Sequence, residues 1–253
     1  MNDHERYLFD LHGYLVVEGA LSADVVAQLN ALVDAQGLPT PDASIDSQRF
    51  AGFLEWGQPF RDLLDHPRLL PYLLEMLGPA PRLDHAYGIA MREGTEGLHL
   101  HGGGTPYDPA QYYHYRNGTM YCGLTVVTWA LSDAPPGAGG FACIPGSHKS
   151  NLPCPQDVRH YQANPAGSVT QVPMRAGDML IFTEALTHGT YAWTASHHRR
   201  ALLYKYAPGH MAWGRIDQAH ERTAGYTERQ ALLLEDPYIY KRRLVPAQDT
   251  PTP

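Results

Sequence analysis

Two histidines, His99 and His101, stand at i and i+2 in "GLHLHGGGTPYD", and three glycines follow them. Alternate positions of an extended chain share a face, so this spacing turns both imidazoles to one side. A glycine run lets backbone approach a ligand closely or turn sharply. Further along, "DMLIFTEALTHGT" carries Glu184 and His188 four residues apart. That even spacing sets both side chains on one face of a strand that ends at His188. Arg199 comes eleven residues after His188, at the start of the next strand, "RRALLYKYAPG". A histidine near the end of one strand and an arginine entering the next can hold a chelated 2-oxo acid. A metal takes the keto end, and the guanidinium binds the far carboxylate as a fork.

The elements that must position these residues follow from composition and pattern. At 253 residues the chain fits one domain with a substantial core. Abundant Gly (24) and Pro (21), with Tyr (16) well above Phe (6), favour a β-rich or loop-rich fold over a helical bundle. A formal charge of −7, three lysines and no basic cluster argue against nucleic acid or an anionic membrane as partner. No apolar run approaches the ~18 residues of a membrane span, and "MNDHERYLFDLHGYLVV" has no signal-peptide core. Cys122, Cys143 and Cys154 are odd in number with no CxxC pair, so a cytoplasmic setting with buried thiols is expected.

"GYLVVEG" (13–19) predicts a strand. Ser22 then caps a helix over "ADVVAQLNALVDAQ", which Gly37 stops. A loop carrying Phe50, Phe53 and Trp56 leads to a second helix in "HPRLLPYLLEMLGP" (66–79). From about residue 82, strands are expected in "RLDHAYGIAMRE", "MYCGLTVVTWALSD", "GGFACIPGS", "SVTQVPM", "DMLIFTEALTHG" and "RRALLYKYAPG", bounded by turn residues. Such an order suggests a sandwich or jelly roll. "TERQALLLEDPYIYKRRL" predicts the last helix, and residues 246–253 read as a disordered tail.

Several of these stretches resemble a known family. "GGFACIPGSHKS" is similar to the signature turn of the phytanoyl-CoA dioxygenase family of Fe(II)/2-oxoglutarate oxygenases, and "FDLHGYLVVEGALSADVVAQLNALVD" to its N-terminal opening. "GDMLIFTEALTHG" and "RRALLYKYAPG" resemble its distal metal histidine and 2-oxoglutarate arginine. The resemblance runs from about residue 7 to 213. It implies a mainly β fold with flanking helices, a double-stranded β-helix (jelly roll, cupin-like), in one domain over residues 1–245. It also implies Fe(II), 2-oxoglutarate and dioxygen as cofactor and reactants. Carried over, His101 and His188 are the metal ligands, Arg199 anchors 2-oxoglutarate, and Trp129 in "TVVTWALSD" lines the pocket. Tyr107 heads a tyrosine cluster, "YDPAQYYHY" (107–115), expected as an insertion or lid near the metal and counted with the cofactor-binding residues.

The family pattern is His-x-Asp, part of a two-His-one-carboxylate triad, whereas this chain has "HLHGG". Four readings of the missing carboxylate stand open. Gly103 leaves a vacancy for halide or water, as in iron/2-oxoglutarate halogenases. Alternatively His99 and His101 both bind beside His188, Glu184 supplies the carboxylate, or Asp108 folds back from its loop. A carboxylate at Glu184, inside an apolar run, is costly unless paired or metal-bound; Arg92 or Arg200 is the competing partner. His99 also reads as a pocket residue, His148 as a turn residue, and His197 and His198 as solvated. The leading functional expectation is hydroxylation of a C–H bond of a small molecule. The alternatives are C–H halogenation and a non-catalytic cupin-like binding protein, the last disfavoured because it needs neither His188 nor Arg199.

Overall fold

The computed structural model describes residues 1–38, 48–103, 107–161, 167–214 and 225–247. The chain opens with α1 (Asp3–His12), β1 (Tyr14–Val17) and α2 (Ala23–Asp34), then β2 (Gln48–Phe50), α3 (Gln58–Arg61) and α4 (Leu70–Leu77). Next come β3 (Pro81–Met91), β4 (Leu98–His101), β5 (Tyr113–Arg116), β6 (Thr119–Cys122), β7 (Thr125–Ala130) and β8 (Gly140–Cys143). They are followed by α5 (Gln156–Arg159), β9 (Thr170–Gln171), β10 (Met179–Thr183), β11 (His188–Tyr191), β12 (Arg199–Pro208) and α6 (Glu228–Leu233).

A six-stranded sheet has the order β1-β10-β7-β12-β3-β2, and a four-stranded sheet the order β4-β11-β8-β9. From β7 onward the chain crosses repeatedly between them, the winding of a double-stranded β-helix. Alternation along the strands divides the core in two. Val127, Trp129, Leu202, Tyr204 and Tyr206 face the helices and pack with Phe9, Leu29, Phe60 and Leu73. Val126, Ala130, Leu180 and Leu203 face the other way, packing between the sheets with Phe141, Cys143 and Phe182. Because both faces are covered, β7 and β10 are buried at every position, which is why "TVVTWA" and "MLIFT" read as apolar runs. The buried hydroxyls of Tyr204 and Tyr206 donate to the carbonyls of Phe60 (2.7 Å) and Leu64 (2.8 Å), tying β12 to the helical layer.

Several expected boundaries move for local reasons. Helix α1 was not anticipated, although Asn2 and Glu5 form a reciprocal capping box, a spacing legible in the sequence. The helix expected over 66–79 starts only at Leu70, with Pro71 in its first turn. The last helix stops at Leu233, short of Pro237. "MYCGLTVVTWALSD" divides into β6 and β7 at Gly123, where a Cβ would lie 2.2 Å from the Ala110 carbonyl oxygen. Residues 248–253 of the expected tail lie outside the described residues. Among the described residues no helix is long and apolar enough to cross a membrane.

His148 locks the signature turn to α1. Its Nε2 meets the Asp10 carbonyl at 3.0 Å, and its ring stands edge-on to Tyr113, whose hydroxyl donates to the Asp10 carboxylate. Burial, with the Lys149 charge adding to it, pushes the imidazole down to about 4. It is therefore neutral in the fold, while the unfolded chain takes up the proton first as pH falls below about 6.5. The contribution is fully present at neutral pH and is lost as pH drops toward 4. Between pH 7 and pH 5 this one group should remove about 1–2 kcal/mol of stability. Urea unfolding of His148→Gln should show a shallower pH dependence than wild type over that range; an identical slope would contradict the assignment.

Candidate active site

Strands β4 and β11 bring two histidines face to face. His101 is paired with His188 in the antiparallel register, and their ring centroids are 4.3 Å apart. The Nδ1 of His188 lies 2.7 Å from the Leu186 carbonyl, and that of His101 lies 3.2 Å from the His99 carbonyl. A carbonyl only accepts, so each Nδ1 carries the proton and each Nε2 keeps its lone pair. The His188 ring is wedged against Phe141 and Phe182, with centroids at 5.9 and 4.7 Å. Burial lowers the pKa of both histidines, His101 to about 4 with the neighbouring His188 adding to the shift. Both are neutral near pH 7, the state a metal ligand needs.

The expectation of one strand carrying Glu184 and His188 is corrected. β10 ends at Thr183 in the six-stranded sheet, residues 184–187 turn, and His188 begins β11 in the other sheet. The turn is closed by the Leu186 N–H on the Thr183 carbonyl (2.9 Å) and the Ala185 N–H on the Thr183 hydroxyl (3.2 Å). Glu184 thus reaches His188 across a turn, not along a strand face. Its side chain is buried, with Oε2 4.0 Å from Nε2 of His188 and Oε1 accepting a 2.6 Å hydrogen bond from Nζ of Lys205. Burial alone would raise the carboxyl pKa; the positive charges of His188, when protonated, and of Lys205 outweigh it and hold Glu184 below its usual range. At neutral pH the Lys205 ammonium is the charged partner of the anion. Arg92 and Arg200 are not its partners. Arg92 donates to the Glu93 carbonyl, and Arg200 bonds Asn30 and Asp34 on α2. Among the described residues no three His, Cys, Asp or Glu side chains are already gathered for one ion, and the Glu184 carboxylate is engaged by Lys205.

The other candidate donors are placed elsewhere. The register slips between His188 and Thr190, whose partners are His101 and Leu98. Two residues, His99 and Leu100, therefore oppose one as a bulge, and the His99 ring stays near that of His101, with centroids 6.4 Å apart. His99 is exposed and lies beside His160, centroids 5.8 Å apart. Asp108 uses its carboxylate on the Ala110 N–H (2.7 Å), stabilising its own turn. Gly103, at the aspartate position of the family pattern, has φ +90, and a Cβ there would meet Thr187 Oγ1 at 3.2 Å and neither imidazole. A Cβ at Gly102 would lie 2.8 Å from the carbonyls of Glu184 and Leu186. The glycines make room for the turn that carries Glu184.

Arg199 is buried at the start of β12, on the face of Ala201, Leu203 and Lys205. Its one recorded polar contact is Met91 Sδ at 3.5 Å, and among the described residues no carboxylate pairs with it. Burial lowers its pKa to about 10, so it stays charged. Gly140, at φ +88, admits it: a Cβ there would stand 3.2 Å from Nε. Trp129, expected in the pocket, faces the helices instead and packs edge-on to His66 at 5.3 Å. Its neighbours Val126 and Ala130 supply the inward face of β7. Tyr107 is 77% exposed and makes none of these contacts. Tyr113 of the expected lid is buried against α1, within the β5–β6 hairpin.

Lys205 was missed by the sequence reading. It lies six residues after Arg199, an even spacing in an otherwise apolar strand, and that was the available signal. Its ammonium stands 5.6 Å from the Tyr87 ring centre and 5.8 Å from that of Trp213. Trp213 is fixed by Asp84, which accepts the N–H groups of Trp213 (2.8 Å) and Gly214 (3.2 Å).

The family model described as Phytanoyl-CoA dioxygenase (PhyH) matches residues 9–201. The chain belongs to the phytanoyl-CoA dioxygenase family. Among solved structures, it is similar to HygX from Streptomyces hygroscopicus with nickel, 2-oxoglutarate and hygromycin B bound. The identity is 26% and the TM-score 0.75, over 89% of this chain and 96% of that one. SnoN, an epimerase solved with Fe3+, α-ketoglutarate and nogalamycin RO, gives 19% and 0.63 over 95% and 96%. The carbocyclase SnoK from nogalamycin biosynthesis gives 18% and 0.65 over 87% and 89%. For these two the likeness is one of fold. No curated protein matches the chain. This member of the phytanoyl-CoA dioxygenase family is an Fe(II)/2-oxoglutarate-dependent oxygenase, with iron, 2-oxoglutarate and dioxygen as its cofactor and reactants.

The side chains fit those groups. Two neutral imidazoles keep their Nε2 lone pairs, an anionic carboxylate stands beside one of them, and a buried guanidinium has no acid among the described residues. An unpaired buried charge is tolerated at a cost, so Arg199→Met should leave the ligand-free protein as stable as wild type or more so. It should also abolish the stabilisation that 2-oxoglutarate adds to that of Ni(II) alone. Urea titrations without ligand, with Ni(II) alone and with both check this; an undiminished stabilisation would remove Arg199 from the site.

Proposed function

We propose that the protein hydroxylates an unactivated C–H bond of a small molecule, with His101, His188 and Glu184 holding iron and Arg199 holding 2-oxoglutarate. The observation that carries this reading is the Glu184 carboxylate oxygen 4.0 Å from Nε2 of His188. A carboxylate is therefore available despite the absent His-x-Asp aspartate, which favours hydroxylation over halogenation. Bound iron would activate dioxygen while 2-oxoglutarate is decarboxylated to succinate.

The chain's own contribution is positioning. The Leu186 and His99 carbonyls fix the imidazole tautomers, and the Glu184 charge offsets part of the Fe(II) charge. Arg199 forks the distal carboxylate of the cosubstrate at the end of the barrel where Met91, Ala134 and Trp193 pack as one buried cluster. The reading takes residues 1–245 as one catalytic domain, since Leu232, Leu233 and Val245 share the core of the six-stranded sheet.

The test is incubation with Fe(II), 2-oxoglutarate and labelled dioxygen, with and without chloride, across a small-molecule panel. Hygromycin B, bound in the HygX structure, is a reasonable first probe. Iron-dependent succinate and one labelled oxygen atom in the product are expected, with chloride without effect; a chlorinated product would favour the vacancy reading. Glu184→Gln and His101→Ala should each weaken Ni(II) binding by at least about tenfold while the fold is kept. Calorimetry and near-UV circular dichroism decide it, and wild-type affinity in Glu184→Gln would remove that residue from the ligand set.

A further inference from the structure

We infer that Lys205 is a positioning residue for the metal centre. By holding one oxygen of Glu184, it leaves the carboxylate a single oxygen to offer and keeps open the coordination places that 2-oxoglutarate needs. The inference rests on the reading of Glu184 as a ligand.

The two oxygens of Glu184 have different surroundings. Oε1 is 2.6 Å from the Lys205 ammonium, and Oε2 is the atom that faces Nε2 of His188. Carboxylates bind metals through one oxygen or through both. Two histidines and one carboxylate oxygen leave open positions on the metal for a chelating 2-oxo acid and for dioxygen. A second oxygen from Glu184 would occupy one of them. Glutamate has one more rotatable bond than the aspartate of the family pattern, and here it sits in a turn, so something must restrain it. Lys205 is itself restrained. Its side chain is only 12% exposed, its ammonium lies between Tyr87 and Trp213, and Trp213 is clamped by Asp84.

Lys205 also places a positive charge beside a site for a dication, and it competes with the metal for Glu184. Its removal should therefore shift two affinities in opposite directions. In Lys205→Met, Ni(II) should bind at least about threefold tighter than in wild type. The affinity of the Ni(II)-loaded protein for 2-oxoglutarate should fall at least about tenfold. Both are read by calorimetry on the full chain, with Lys205→Gln replacing the methionine variant if that protein does not fold. A merely structural lysine would weaken both affinities together.

The mutant cycle with Glu184→Gln separates the remaining possibilities. If Lys205 acts through Glu184, most of the tightening on its substitution should disappear once Glu184 is glutamine, leaving only the smaller effect of the removed charge. An equal tightening in both backgrounds means a bare charge effect and overturns the inference, as does unchanged metal and 2-oxoglutarate binding in the single variant. If instead Glu184→Gln alone binds Ni(II) as wild type does, the reading of Glu184 as a ligand fails, and the inference fails with it.

Discussion

Charge buried between two apolar sheets is the constraint on which this structure turns. Glu184 and Arg199 are buried beside Val126, Leu180, Leu203, Phe141 and Phe182, and the half-buried Lys205 reaches in to Glu184. Ionised groups persist in such surroundings only when paired, hydrogen-bonded or neutralised by a ligand. Glu184 and Lys205 solve the problem internally, with a contact of 2.6 Å. Arg199 does not. The asymmetry runs along one strand face, with Lys205 paired beside the histidines and, six residues before it, an Arg199 that has no carboxylate partner among the described residues.

The glycines at 102 and 103 connect the absent aspartate to the turn that carries Glu184. Side chains at these positions would collide with the carbonyls of the 184–187 turn or press on Thr187. The Gly103 N–H donates to the Glu184 carbonyl at 3.0 Å. Replacing "HLHGG" with a His-x-Asp pattern would therefore disturb the turn that presents Glu184. The two features belong to one arrangement of the backbone and are poorly described as a loss followed by a repair.

How far the sequence could be read depended on whether the signal lay in one strand or between two. A jelly roll was visible in the succession of short strands and turns, while the double-stranded β-helix and the meeting of His101 with His188 were implied by the family resemblance. The turn at 184–187 was hidden because Ala185 and Leu186 continue the apolar character of β10, so nothing polar marks the break. The bulge at His99 and Leu100 was hidden because it depends on the register of β11. Trp129 was misplaced because periodicity says which residues share a face but not which face is inward. Lys205 was readable by its parity with Arg199, but only once a lysine in an apolar strand is treated as a question.

β4 lies at the edge of its sheet, joined to it through β11 alone. It contributes His101, and β11 contributes His188. An ion shared by these two imidazoles would therefore act as a staple across the outermost seam of the barrel. Metal affinity then contains the free energy of docking that strand, because the ion binds only where the strand is in place. Stripping the metal weakens the hold on β4 and favours exposure of the unpaired backbone edge of β11. An edge of that kind is a template for pairing with another chain. Metal content and the docking of β4 would thus be thermodynamically linked.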